Sequence, residues 1–241
     1  MKKKYFTVVF LALVLLASFL TTDRSVRVMK NIFLPEKVGE DKQYVVVIDP
    51  GHGGWDPGKV GVNNALEKDI NLSIALRVKD LLELNDLKVI MTREEDIGLY
   101  SESSSSKKTA DLNKRVEIIH NSEADMAISI HQNSFTSPEI KGAQVFYYTP
   151  SEKGEQLALI MQDQLKATMA DGNHRKAKAN NDYYMLKKTK CPFVIVECGY
   201  LSNPREASLL LEKDYQEKLA WAVHLGVIQY LNDVRTVKST P

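Results

Sequence analysis

The chain of 241 residues is short of cysteine and of net charge, and has one long apolar run. Its two cysteines, Cys191 and Cys198, flank Pro-Phe-Val-Ile-Val-Glu. If that segment is a strand, their Cα atoms stand roughly 23 Å apart at ~3.3 Å per residue, on opposite faces. A disulfide needs Cα atoms within ~7 Å, so the pair is expected to stay reduced. Its spacing is no zinc-finger signature either. Thirty-two lysines and arginines against 31 acidic residues leave a formal charge of +1. No basic surplus supports nucleic-acid binding. No internal repeat is evident.

The apolar run is MKKKYFTVVFLALVLLASFLTT, where a basic start precedes Tyr5–Leu20 and resembles a signal sequence or a short membrane anchor. Its core of 16 residues spans about 24 Å as a helix at ~1.5 Å each, short of a ~30 Å hydrocarbon core. Thr21, Thr22 and snorkelling make up the difference. No small-x-small cleavage site follows Leu20, so an uncleaved anchor is favoured. Lysines ahead of the run keep the N-terminus inside and export the rest. Residues 1–22 are therefore assigned to signal or anchor, 23–42 to a tether, 43–233 to one folded domain and 234–241 to a disordered tail.

Between tether and tail, apolar runs alternate with amphipathic stretches. Strands are expected at 44–48, 87–92, 126–130, 143–148 and 192–196, with a short one at Tyr183–Leu186. Helices are expected from about Glu67 to Asn85, capped by Asn63 or Asn64, and from Asp111 to Asn121. Others should cover Glu152–Met169, Ala207–Leu211 and Tyr215–Leu231. The serine-rich SESSSSKK, 101–108, reads as a solvated insertion. The alternation predicts an α/β fold: a single open, mostly parallel twisted sheet with helices on both faces.

The chemistry gathers at one end of that sheet. His52 follows VVVID-P-G, His131 follows MAISI, and Glu197 follows PFVIV. An open α/β sheet binds ligands outside the carboxyl ends of its strands, and three runs deliver His, His and Glu there. Imidazoles with carboxylates suit zinc, which at a catalytic site takes three protein ligands and keeps one position open. The third ligand is open among Glu67, which starts the first helix, Asp56 and Asp69. Glu197 would be left as general base.

The stretches VVVIDPGHGG, LEKDINL, AISIHQNS and VIVECGYLSN resemble, in order, the motifs of the zinc-dependent N-acetylmuramoyl-L-alanine amidases of the type 3 family. The likeness covers about Tyr44 to Asn232. It implies zinc on His52, Glu67 and His131, Glu197 as catalytic acid/base, and hydrolysis of the amide between N-acetylmuramic acid and L-alanine in peptidoglycan. Tyr200 replaces a more usual phenylalanine, and Gln132 a small residue; neither is expected to touch the ligand set. The loop Ser134–Lys141 leaves no room for the plugging helix that some relatives carry. A short tether and no wall-binding repeat make the chain most similar to the sporulation-specific, CwlD-type members, which serve muramic-δ-lactam formation in spore cortex.

The alternatives are another zinc amidohydrolase of the wall, a peptidase or deacetylase, or a non-catalytic wall module completed by a partner. With no wall-binding module, the chain is expected to reach its substrate through the membrane or a protein partner. Asn133 reads equally as a substrate or ligand contact and as a turn residue. Arg115 reads as a solvated helix position ahead of a substrate-carboxylate contact. His120, His174 and His224 read as structural, and Met161, Met169 and Met185 as core.

Overall fold

A computed structural model describes residues 43–238; the expected anchor and tether lie outside them. Val45–Pro50 (β1), Lys88–Met91 (β2), Met126–Asn133 (β3) and Phe193–Tyr200 (β6) run parallel in the order β2-β1-β3-β6. Gln144–Tyr147 (β4) pairs antiparallel with β6, and the two-residue β5, Lys178–Ala179, closes the edge beside β4. β1 and β6 are branched and apolar without alternation because both faces of the sheet are covered.

One face carries the helices Glu67–Glu83 (α1), Glu152–Met169 (α3) and Lys213–Lys238 (α6). Ile70, Ile74, Val78 and Leu82 of α1 recur at helical spacing and lie buried with Val46, Ile48, Ile128, Val194 and Val196. The other face is thinner. There Lys107–Asn121 (α2) and Tyr184–Lys188 (α4) set Ile119, Met185 and Leu186 against Val47, Ala127, Phe193 and Ile195. Pro204–Leu209 (α5) is a single short turn between β6 and α6.

Several elements differ from the sequence reading for local reasons. Tyr183–Leu186 is not a strand: Tyr184 opens α4, and a run that short does not distinguish the two states. Neither Asn63 nor Asn64 caps α1. Leu66 holds that position, and the carbonyls of Lys59 and Pro57 accept from the N–H groups of Glu67 and Lys68. α2 starts at Lys107 rather than Asp111 because the Ser106 side chain accepts from Thr109 N. α6 runs on to Lys238, through the first part of the expected tail. β3 and β6 extend to Asn133 and Tyr200, so His131 and Glu197 stand within the strands rather than just beyond them. The serine-rich stretch is largely exposed, and no helix lies between Ser134 and Lys141.

Candidate metal centre

The turn after β1 is set in an uncommon backbone shape. His52 has φ 63°, in the left-handed region that a non-glycine residue enters at a cost. Two buried arginines hold it there. Arg115 donates through Nη1 to the carbonyl of Pro50 (2.8 Å) and through Nη2 to that of His52 (2.6 Å). Arg93 donates through Nε to Pro50 and through Nη2 to Gly51, each at 3.0 Å. Beneath them Asp49 accepts from Arg115 Nη1, Thr92 Oγ1 and Ser129 Oγ, each at 2.6 Å. Burial opposes its ionisation, but Arg115 and the two hydroxyls outweigh burial and hold its pKa at about 2. Position 51 must be glycine, since a Cβ there would stand 2.2 Å from the Cε1 atom of His131.

This frame aims His52 at Glu67 and His131. Glu67 Oε1 lies 3.2 Å from His52 Nε2 and 3.0 Å from His131 Nδ1, and the two rings meet edge to face with centroids 5.0 Å apart. The three donor atoms lie within 4.8 Å of one another. Glu67 is positioned from three sides: its Oε2 accepts from Lys59 N, and its Oε1 from Gln132 N and Asn71 Nδ2. Burial raises its pKa, but the two imidazoles win and hold the carboxylate far below its usual range. For His52, burial disfavours the cation, yet Glu67 and Asp56 lift its pKa to about 9. Two imidazoles and a carboxylate converging on one point form a donor set that fits zinc.

Asp56 is not one of the three. Its Oδ2 stands 2.9 Å from His52 Nδ1, behind the ring, which leaves Nε2 to face the cluster. Such partners fix a ligand's tautomer, and removing them weakens metal binding about 10- to 100-fold. Asp56→Asn keeps the acceptor for Gly58 N but places an amide where His52 needs an acceptor. It is expected to weaken zinc binding by that factor in competition with a chelating dye. An unchanged affinity would leave Asp56 a mere turn residue. Asp69, the other rival, is exposed on α1.

Glu197 sits beside the cluster on the neighbouring strand, in register with His131. It is 7% exposed, and its Oε2 has no hydrogen-bond partner. Burial pushes its pKa up to about 7; the nearby imidazoles pull against this and the Glu67 charge adds to it. A buried carboxylate with a vacant oxygen and a pKa near neutrality is equipped to take up and release a proton.

Two expectations need correction, for Arg115 and Gln132. Arg115 is neither solvated nor free for substrate: it is 1% exposed and paired with Asp49 and Asp111, each at 2.6 Å. Asn133, read equally as a turn residue and as a substrate or ligand contact, accepts from the N–H of Ser134 through Oδ1, as a turn residue does. Gln132 does reach the ligand set, because its backbone supports Glu67 and its Nε2 donates to Asn71 Oδ1. The sequence reading overlooked Asp49 and Arg93; the only signal was an Asp facing inward at the end of an apolar run. Of the remaining histidines, His224 is buried against Trp221 with its pKa lowered by burial to about 4, and His174 is exposed. Met161, Met169 and Met185 are buried, and both cysteines are free.

Comparison with known proteins bears on this site as a whole. The profile of the N-acetylmuramoyl-L-alanine amidase family matches residues 46–229. The germination-specific N-acetylmuramoyl-L-alanine amidase of Bacillus subtilis (strain 168) is 41% identical over 192 residues, 78% of this chain and 80% of that protein. The solved CwlD amidase of Clostridioides difficile, in complex with the GerS lipoprotein, superposes with a TM-score of 0.77 at 40% identity, covering 79% of this chain and 100% of that one. The catalytic domain of CwlV, the amidase of Bacillus (Paenibacillus) polymyxa var. colistinus, gives 0.70 at 30% identity, covering 79% and 99%. A profile match over most of the chain, together with relatives this similar along most of their length, shows that the chain belongs to the N-acetylmuramoyl-L-alanine amidase family.

Proposed function

We propose that the chain hydrolyses the amide between the lactyl group of N-acetylmuramic acid and L-alanine with zinc held by His52, Glu67 and His131, and with Glu197 as acid/base. Family membership carries the bond and the peptidoglycan substrate. The observation that carries the roles is the buried, unpartnered Oε2 of Glu197 next to a cluster of two imidazoles and one carboxylate. Bound there, zinc would supply Lewis-acid polarisation of the scissile carbonyl and acidify water.

The residues of the chain account for the proton. Glu197 accepts it at Oε2 from the attacking water and returns it to the departing alanine nitrogen, so that a lactyl carboxylate and a free amine result. A pKa near 7 lets the same group serve both halves of the reaction. His52 is kept to its orientation by Asp56 at Nδ1, on the far side of the ring from the cluster.

The likeness to germination-specific and CwlD amidases supports work on spore cortex, in muramic-δ-lactam formation. It also supports action outside the cytoplasm, and the basic start and apolar run of residues 1–22 support their role as signal or anchor. The CwlD amidase was solved with a lipoprotein, which supports a protein partner for this chain as well.

Purified chain incubated with peptidoglycan and zinc should release stem peptides beginning with L-alanine, identified by mass spectrometry, and release should stop when a chelator is added. Products cut at another bond would replace this reading with a peptidase or deacetylase. No product with zinc bound would point to a partner-dependent module.

A further inference from the structure

Arg175 is a cation held in place with no ion pair among the described residues; its nearest charge influence is Glu206, whose pKa burial raises and Arg175 lowers through space. Its Nε donates to the carbonyl of Lys141 at 2.7 Å and its Nη1 to Gln144 Oε1 at 3.1 Å, and its guanidinium lies 4.7 Å from the centre of the Tyr200 ring. Gln144 is itself splinted, donating through Nε2 to the carbonyl of Lys176 at 2.9 Å. Among the described residues Nη2 donates to no acceptor, and no carboxylate pairs with the group. The nearest candidates are occupied: Glu206 accepts from the N–H groups of Gly142 and Tyr200, and Asp171 from that of Asn173. Arg175 and these acidic residues line an open cavity of about 340 Å³.

The cavity that Arg175 lines holds none of His52, Glu67, His131 or Glu197, and the link to the reaction centre runs through one residue. Gln144, which carries it, is the register partner of Glu197 across β4 and β6. Directly opposed residues on antiparallel strands project to the same face, with Cβ atoms ~5 Å apart. Gln144, Glu197 and His131 therefore share one face at one rim. The Tyr200 hydroxyl reports the same proximity: burial and the charges of Glu197 and Glu206 raise its pKa, while Arg175 lowers it.

We propose that Arg175, positioned by Gln144, is the specificity residue for the peptide half of the substrate and binds the α-carboxylate of the second stem residue. That residue follows L-alanine as a γ-linked D-glutamate, whose α-carboxylate is either free or amidated. A guanidinium with its outer edge vacant matches a carboxylate in geometry as well as charge, and an amide less well. This inference rests on the amidase reading and adds to it a preference between two forms of the same peptide.

The test compares two soluble muramyl tripeptides that differ only in a free or amidated α-carboxylate at the second residue. Wild-type enzyme with zinc should favour the free carboxylate about 10- to 100-fold in kcat/KM, mainly through KM, as expected for one charge-assisted contact. Arg175→Gln should raise KM for the free form and bring the ratio close to one. Arg175→Lys should keep part of the preference, and Arg175→Gln should keep the unfolding midpoint and zinc content of wild type. Equal use of both substrates by wild type, or an equal loss on both in the variant, would overturn the inference while leaving the amidase reading intact. No release of alanine-terminated peptide from either substrate would overturn both.

Discussion

Replacing Glu197 by glutamine is expected to lower kcat by at least about a thousandfold, within the range that general acid–base catalysis supplies. The carboxamide preserves size but cannot carry the proton. Because Glu197 is no member of the three-donor cluster, zinc content should match wild type. Loss of zinc would show instead that Glu197 is a ligand, and activity within tenfold of wild type would remove it from the reaction. The same variant has an opposite effect on stability in metal-free protein. Burial raises the folded pKa of Glu197 to about 7 from 4.5. A raised pKa contributes stability below about pH 4.5, and this is lost as pH climbs through 7. Glu197→Gln, having no charge to bury, should therefore be the more stable protein at pH 8, by roughly 3 kcal/mol, with little difference from wild type attributable to this titration at pH 4. Urea unfolding at the two pH values, with chelator present, reads the difference directly.

The second large effect lies under the His52–Glu67–His131 cluster. Arg115→Met is expected to cost about 3–5 kcal/mol in urea unfolding at pH 7, since it strands the buried charge of Asp49. It also removes the donors that hold the carbonyls of Pro50 and His52, so zinc affinity should fall as well. The double variant Asp49→Asn with Arg115→Met should recover part of the loss, because no ion is then left unpaired. A single-variant cost under 1 kcal/mol would mean that water replaces the arginine. The pair has a pH signature of its own. Asp49 is held at about 2 against an ordinary 3.8, so its contribution is complete above about pH 4 and is lost as pH falls through 2. Arg115→Met should lack that acid-side loss, worth about 2 kcal/mol in wild type.

How much of this could be read in advance depended on whether the information was local. Val45–Pro50 announced itself as a buried strand because both of its faces are covered. His52 and His131 were conspicuous as the polar residues closing such runs. Glu67 was not separable from Asp56 and Asp69 by spacing, because each sits within reach of the same rim; only the motif likeness favoured it. The structure separates them by direction, with Glu67 facing the rings, Asp56 behind one, and Asp69 in solvent. Arg115 misled for the opposite reason. An arginine on an amphipathic helix looks solvated until its partner is known, and that partner, Asp49, lies 66 residues away. The direction of β4 was equally hidden, since apolar runs carry no sign of parallel or antiparallel pairing. Yet that direction is what puts Gln144 opposite Glu197.

The strand order has a consequence for the life of the newly made chain. β1 and β3 bring the two imidazoles together, but Glu197 arrives only with β6, the last strand of the sheet in sequence. In a chain emerging from its N-terminus, the residues of the three-donor cluster are therefore all made before Glu197. His52, Glu67 and His131 all precede β6, so a chain cut short before Phe193 keeps the whole donor cluster and lacks Glu197.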